Sequence, residues 1–361
     1  MKINLVIADE DILYLKQLAN YLTKNFQKFE VFSFSKREDI CDFVARADNT
    51  IDVLIISEEL RCSEIDQCKA AAKIILSEDN QQIEGYEVLQ KYKKTSSLMG
   101  DVMMVYGKKS GRAEQLSRGA LKTKTIGVYS PVGGSGKTTL ALLLAHSLAN
   151  GKAFYLNFER INSTKDILPA EAQVNLSDIL VAIHTGEQGV GLNLISKMYT
   201  APKLGFSYIG PAVSSLELNE VSLDEQKKLI DEIKGVGQFN TLIVDFDSEL
   251  TADKLELLNQ CEQIIVPFLP DVISVNKLIQ MFKEAEIHSK VQALMEKMIF
   301  VGNKMYPEAE RMLQKIELQK YCVPAAMLPL SEQMANVIMS MQSGKAEMLL
   351  PSSLIEKTLS K

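Results

Sequence analysis

Short apolar runs alternate with longer stretches in which apolar residues recur at helical spacing, and this alternation fills both halves of the chain. In the first half the runs are residues 3–8, 31–34 and 52–56, with amphipathic stretches at 12–25 and 37–46 between them. In the second half they are 126–129, 152–156, 239–245, 263–268, 298–304 and 326–330. Runs without polar alternation suit strands buried on both faces, and strands alternating with helices fold as parallel sheets covered by helices. The pattern predicts an α/β chain of two three-layer domains.

The periodicity breaks over residues 107–122, where Gly107, Lys108, Lys109, Ser110 and Gly111 open a small and basic stretch. This reads as a linker between domains at 1–106 and 123–361. Its cations could touch DNA or anionic lipid, but without aromatic neighbours they fit a solvated connector.

With 361 residues and 46% hydrophobic content, each half can bury its own core. A mean hydropathy of +0.00 fits a soluble protein. The net charge of -6 argues against general nucleic-acid affinity. No apolar run approaches a membrane span, and the first residues enter a strand without the pattern of a signal peptide. Cys41, Cys62, Cys68, Cys261 and Cys322 form no C-x-x-C pair, so the spacing suggests neither a disulfide framework nor a zinc site but reduced cytoplasmic thiols.

Candidate chemistry concentrates where the 126–129 run meets the helix expected over 139–148. The intervening Ser130-Pro131-Val132-Gly133-Gly134-Ser135-Gly136-Lys137-Thr138-Thr139 has the make-up of a phosphate-binding loop. Backbone N–H groups of Gly133, Gly134, Ser135 and Gly136 would converge on phosphate oxygens. Lys137 would bridge the β and γ phosphates, Thr138 would place its hydroxyl on Mg²⁺, and Thr139 would reach the α phosphate. Pro131 stands where the common loop has its first glycine. Further on, the apolar run ending at Asp245 has the pattern of a second acidic strand whose carboxylate holds Mg²⁺ through water, and alternation places Asp247 on the same side.

The loop resembles the deviant P-loop of the ParA/MinD family, which carries a second lysine where Val132 stands here. The resemblance implies ATP and Mg²⁺ as cofactors and a homodimer formed through the second domain. It places Asn157 and Glu159 at a strand end where the family has two acids that position Mg²⁺ and water. With one acid replaced by an amide, it implies slow hydrolysis. The alternative is that both residues only end a strand. The resemblance also gives Asn303 the adenine edge, with Lys304 beside the base, against the plainer reading of a turn asparagine. Pro329 falls in the loop that covers the base, and Gly344-Lys345 fits a later turn.

The first domain resembles a response-regulator receiver, with a parallel sheet of the flavodoxin-like kind. Ser57 ends the third strand where a receiver has its phosphorylated aspartate, and Glu58 and Glu59 do not restore it. Asp9, Glu10 and Asp11 form either an acidic cluster or a solvated turn. Ser77 and Lys91 fall near the receiver's hydroxyl and lysine positions. The polar run 78–84 is too short for a helical crossover, so the fourth helix is expected to be missing. The implied domain is an interaction module that cannot be phosphorylated.

An atypical receiver joined to a ParA/MinD-like ATPase is the organisation of the TadZ/CpaE family. That resemblance implies a cytoplasmic, ATP-binding, homodimerising factor that helps localise and assemble a Tad (Flp) pilus or secretion apparatus, often at a cell pole, with other apparatus components as partners, its secretion ATPase among the candidates. No specific nucleic acid and no integral membrane segment are expected. The rivals are a DNA-partitioning ATPase, a division-site regulator and a metabolic P-loop enzyme. The first lacks a basic bias, the second a basic amphipathic tail and the third a substrate constellation, since His146, His184 and His288 are scattered.

Overall fold

The computed structural model describes residues 3–25, 29–46, 49–79, 82–92, 95–110, 122–148, 152–162, 164, 168, 175–187, 190–201, 203–214, 216–316, 318–330, 336–343 and 350–359. Two units make up the chain: Met1–Arg118 with Glu187–Lys197, and Gly119–Gly186 with Met198–Lys361. The sequence pattern placed one cut at 107–122, whereas the chain passes between the units three times.

In the first unit the order is β1 (Ile3–Ala8), α1 (Ile12–Asn25), β2 (Phe29–Phe34), α2 (Arg37–Ala45), β3 (Ile51–Ser57), α3 (Ser63–Asp66), β4 (Ala70–Ser77), β5 (Glu87–Gln90) and α4 (Thr95–Ser110). All five strands are parallel in the order β2-β1-β3-β4-β5, the flavodoxin-like arrangement. Among the described residues no helix lies between β4 and β5. β1 and β3 are buried almost throughout, because helices cover both faces of the sheet. Helix α4 runs on to Ser110, so residues 107–110 continue a helix instead of opening a linker; 111–121 lie outside the described residues. A helix from later in the chain, Val190–Lys197, packs against α4 in this unit, with Val190, Leu194 and Ile195 buried. Its apolar positions, spaced by four and five residues, gave no sign of which unit they would join.

The chain continues with β6 (Lys124–Val128), α5 (Lys137–Ser147), β7 (Ala153–Asn157), α6 (Leu176–His184), then α7, the Val190–Lys197 helix of the first unit, and then, again in the second unit, β8 (Tyr199–Thr200), β9 (Phe206–Tyr208), α8 (Glu217–Glu220), α9 (Leu223–Gly235), β10 (Thr241–Asp245), α10 (Ala252–Asn259), β11 (Gln263–Phe268), α11 (Val272–Ile287), α12 (Ser289–Met295), β12 (Met298–Met305), α13 (Ala309–Lys315), β13 (Ala326–Pro329), α14 (Val337–Gln342) and α15 (Ser352–Leu359). The sheet order is β13-β12-β11-β6-β10-β7-β9-β8, parallel except for the β8–β9 pair. β6 lies in the middle, between β10 and β11, so the loop after it opens at the C-terminal edge of the sheet, where α/β proteins place their ligand sites.

Helix α5 is apolar nearly all round, with Leu140 to Ala145 buried, and it forms the centre of a core completed by Ile126, Ile243, Ile265 and Val301. Its His146 donates from Nδ1 to the Leu204 carbonyl (2.7 Å), a structural contact. The tail segment is a packing helix: Leu350 and Leu354 enter the same core. Of the methionine-rich stretch 334–341, Met341 is buried in that core and Met339 is exposed.

Candidate functional site

The loop between β6 and α5 turns sharply before the helix begins. Gly134 and Gly136 adopt φ of 70° and 90°, the left-handed region that favours glycine. At Gly136 a Cβ would meet the Asn303 Nδ2 at 2.3 Å, so the loop admits no side chain there. Ser130 accepts a hydrogen bond from the Val132 N–H (3.1 Å), and Val132 is buried, which turns its side chain away from the open face of the loop. Among the described residues no atom crowds the exposed Gly133 and Gly134, and the buried Ser135 hydroxyl has no partner. Thr139 is half-buried in the first turn of α5.

Lys137 begins α5 and is itself buried; its Nζ donates to the Ser248 hydroxyl at 2.7 Å. Ser248 was not singled out in the sequence, where it is one serine beyond an acid-ended strand. Thr138 donates to the Glu159 carboxylate at 3.2 Å. Asp245, at the end of β10, is fully buried, with Oδ2 accepting from the Tyr155 hydroxyl (3.0 Å) and Oδ1 without a partner among the described residues. Burial first, and the nearby Glu159 carboxylate second, push the Asp245 carboxyl up to about 7, against the opposing pull of Thr138, Tyr155 and Lys137. A buried acid with one oxygen free, a threonine hydroxyl and a second carboxylate form an oxygen-rich donor set suited to a hard divalent cation.

Asn157 serves this set from behind. Its Nδ2 donates to the Tyr155 hydroxyl (3.1 Å) and its Oδ1 accepts from the Glu159 N–H (2.7 Å). It therefore orients two neighbours of the site, and its amide fits that double duty, since a carboxylate could not donate to Tyr155. Asp247 does not join Asp245. It forms ion pairs with Lys254 (3.2 Å) and Arg160 (3.9 Å), and Arg160 also reaches Glu249 (2.8 Å). β10 ends at Asp245, so strand alternation no longer applies two residues later.

On the other side of the loop, the register between β12 and β13 shifts between Gly302 and Met305, and Lys304 adopts φ 55°. The irregularity brings Asn303 and Lys304 to the loop. Asn303 is buried and donates to the Ser135 carbonyl (2.8 Å), while its Oδ1 accepts from the Lys304 N–H (2.9 Å). Each end of this amide thus has one partner within the protein. Lys304 Nζ donates to the Gly134 carbonyl at 3.0 Å. Pro329 ends the edge strand β13 and is exposed. Gly344 and Lys345 lie outside the described residues.

The corresponding edge of the first unit is arranged differently. Asp9 is buried after β1 and pairs with Lys91 Nζ at 2.9 Å. The rings of Tyr14 and Tyr92 lie 5.4 and 5.3 Å from that ammonium. Burial lowers the Lys91 pKa, but the hydrogen bond and charge of Asp9 outweigh it and hold the group above its ordinary value. Asp11 caps α1, accepting from the N–H groups of Leu13 and Tyr14 at 3.0 Å. The acidic run thus resolves into one ion pair and one helix cap, with Glu10 exposed. Ser57 is buried at the end of β3, and Glu58 and Glu59 face outward in the following 3-10 turn.

No family model and no curated protein matches the chain. Among solved structures it is similar to a ParA family ATPase from Chlorobium tepidum TLS, at 15% identity and a TM-score of 0.53, covering 66% of this chain and 100% of that one. It is also similar to a variant of Cyanothece McdA in complex with ATP, at 15% identity and a TM-score of 0.51, covering 67% and 98%. The Pyrococcus horikoshii OT3 septum site-determining protein MinD, complexed with Mg-ADP, aligns at 15% identity and a TM-score of 0.51 over 66% and 96%. At this identity the likeness is one of fold, and the chain contains the parallel-sheet, P-loop fold of the ParA/MinD-type ATPases.

Proposed function

We propose that the chain is an ATP·Mg²⁺-binding, homodimerising localisation and assembly factor of the TadZ/CpaE kind, serving a Tad (Flp) type pilus or secretion apparatus and turning ATP over weakly or not at all. The observation that carries the nucleotide part is Lys137, buried at the mouth of the loop with a neutral hydroxyl as its partner, beside the half-satisfied Asp245. A lysine held by one hydrogen bond to Ser248 can exchange that partner for phosphate oxygens.

In this reading the N–H groups of residues 133–138 and the Lys137 ammonium bind the phosphates, while Thr138 and Asp245 hold the cation. Mg²⁺, when bound, neutralises phosphate charge. Glu159 orients water, held by Asn157 through its own backbone. Asn303 is a positioning residue that fixes the loop from beneath. Val132 is buried, so the second lysine of the ParA/MinD loop has no counterpart at that place; Lys304, on the Gly134 carbonyl, brings a second ammonium from the same chain. An amide at Asn157 and no lysine at position 132 both favour a binding switch over brisk turnover, since nucleotide binding alone shifts a dimer equilibrium if the dimer binds it more tightly. The first unit, with its sheet-end charges already paired, supplies a docking module in this scheme. Among the described residues no helix is long and apolar enough to cross a membrane, so the reading places membrane association with partners.

Light scattering of the purified chain with ATP·Mg²⁺, with ADP and without nucleotide tests this, alongside phosphate release and a Lys137→Ala control. The expected result is a dimer that binds ATP and hydrolyses it very slowly. Brisk hydrolysis stimulated by DNA or anionic lipid would instead establish a partitioning or division-site ATPase, and loss of all nucleotide binding would remove both readings.

A further inference from the structure

Two cysteines of the first unit, 21 residues apart in sequence, meet in space: Cys41 Sγ and Cys62 Sγ lie 3.2 Å apart. The Glu64 carboxylate completes a group in which one ligand atom from each residue lies within 4.8 Å of the others. The fold produces the meeting. Cys41 lies on α2, Cys62 immediately precedes α3, and both helices sit on one buried cluster that includes Val6, Ile40, Leu54, Ile56 and Ile65. The thiols are half-buried and Glu64 is exposed, so the group has a floor of apolar side chains and an open side toward solvent.

From this geometry we infer that Cys41, Cys62 and Glu64 form a binding site for a thiophilic divalent cation of the zinc class. Two sulfurs and one oxygen suit a borderline-soft ion and exclude Mg²⁺ or Ca²⁺ as the preferred guest. Three protein ligands and a side open to water is a common zinc arrangement. With Zn–S bonds of about 2.3 Å in a tetrahedral site, the two sulfurs stand about 3.8 Å apart. The pair therefore needs to open by roughly half an ångström from its metal-free contact, a shift within reach of side-chain rotation. A disulfide would instead need the sulfurs to close to about 2.05 Å and would leave Glu64 without a role.

Binding displaces the two thiol protons, so a dication with two thiolates and one carboxylate carries a net charge of minus one. Arg37, at the start of α2, is a nearby cation: its charge acts on Cys41 against the larger opposing effects of burial, Cys62 and Glu64, and its exposed side chain donates a hydrogen bond to the Glu59 carbonyl. The bound ion would tie α2 to the segment after β3 and stabilise the first unit by mass action. Cys68 packs on the same cluster but outside this group, which makes it a matched control.

The test is a titration of the full chain, kept reduced, with Zn²⁺ against a chromogenic chelator. One tight site per chain is expected, with at least a tenfold weaker constant in Cys41→Ser and Cys62→Ser, a smaller weakening in Glu64→Gln, and no change in Cys68→Ser or Lys137→Ala. Should a serine variant fail to fold, the wild-type chain gives an independent reading: Zn²⁺ should slow alkylation of Cys41 and Cys62, mapped by mass spectrometry, and leave Cys68 unaffected. Zinc binding that survives both serine substitutions, no tight site at all, or equal protection of Cys68 would overturn the assignment. So would a reduced chain that retains no metal yet forms a Cys41–Cys62 disulfide with a small-molecule disulfide as oxidant.

Discussion

The C-terminal edges of the two sheets carry the same kinds of residue and arrange them to opposite ends. In the first unit the lysine at the sheet end, Lys91, is spent on a buried carboxylate, Asp9, and enclosed by two tyrosine rings. In the second, Lys137 rests on a neutral hydroxyl, while the buried acid beside it, Asp245, keeps one oxygen free. Two folds of one class thus place charge at the same edge, but only the second holds it in a form that a phosphate can exchange for. The first unit also leaves Asp9 Oδ2 and Ser57 Oγ unpartnered among the described residues, so the contrast rests on the lysines and not on a count of orphaned atoms.

The largest effect should come from breaking the closed edge. Asp9→Ala leaves the half-buried Lys91 ammonium without its counter-charge, which should cost about 3 kcal/mol of stability in urea unfolding. ATP affinity should stay as in the wild type. A loss below about 1 kcal/mol would mean that the pair is effectively solvated and the two edges differ less than their geometry implies.

At the open edge, Lys137→Ala removes the charge offered to phosphate. ATP affinity, followed by a fluorescent nucleotide, should fall about 100-fold, the equivalent of about 2.7 kcal/mol. Lys91→Ala should leave it unchanged. Equal losses in the two variants would erase the distinction between the edges.

Next in size, Asn303→Ala removes the brace beneath the loop, freeing the Ser135 carbonyl. An ATP affinity about tenfold weaker is expected, matching a lost hydrogen bond at a buried carbonyl. Ser248→Ala should act in the opposite direction: with its resting partner gone, Lys137 is free for phosphate, and ATP should bind up to about fivefold tighter. A weaker constant would show that Ser248 also holds the nucleotide, and would sharpen the account of the open edge.

The smallest effect belongs to a half-buried surface carboxylate, the counterpart of the buried Asp9. Glu225 closes the capping box of α9, and its pKa is lowered to about 2, first by the Ser222 hydroxyl and next by His184. A depressed acid contributes stability that is present above its unfolded value and lost as pH falls through the folded one. Wild type and Glu225→Gln should therefore differ by a fraction of a kcal/mol at neutral pH and converge as pH drops from about 4.5 toward 2. A difference that persists below pH 2 would have to come from something other than this carboxylate's charge.

Much of the architecture can be read along the chain. Uninterrupted apolar runs mark strands, and each of those named falls within a residue or two of β1, β2, β3, β6, β7, β10, β11, β12 or β13. The loop of residues 130–139 also reads directly, because a phosphate cradle needs glycines and a lysine at fixed spacing on a contiguous segment. Residues that act across strands read less well. Ser248, Lys304 and the brace by Asn303 depend on which strand ends lie side by side, and a register shift in β12 that no spacing announces brings the last two to the loop. The 187–197 excursion is hidden for a similar reason: a short amphipathic helix states that it must be covered, not by what.

The sequence by itself determined the α/β class, the position of most strands, and the presence of a phosphate-type loop, since these follow from local periodicity and local chemistry. Only the tertiary structure decided that Lys91 closes on Asp9, that Lys137 rests on Ser248, and that Cys41 and Cys62 touch. Each of these pairings joins residues through the stacking of strands or helices on a shared core, so its geometry is fixed by packing, which no pattern along the chain records.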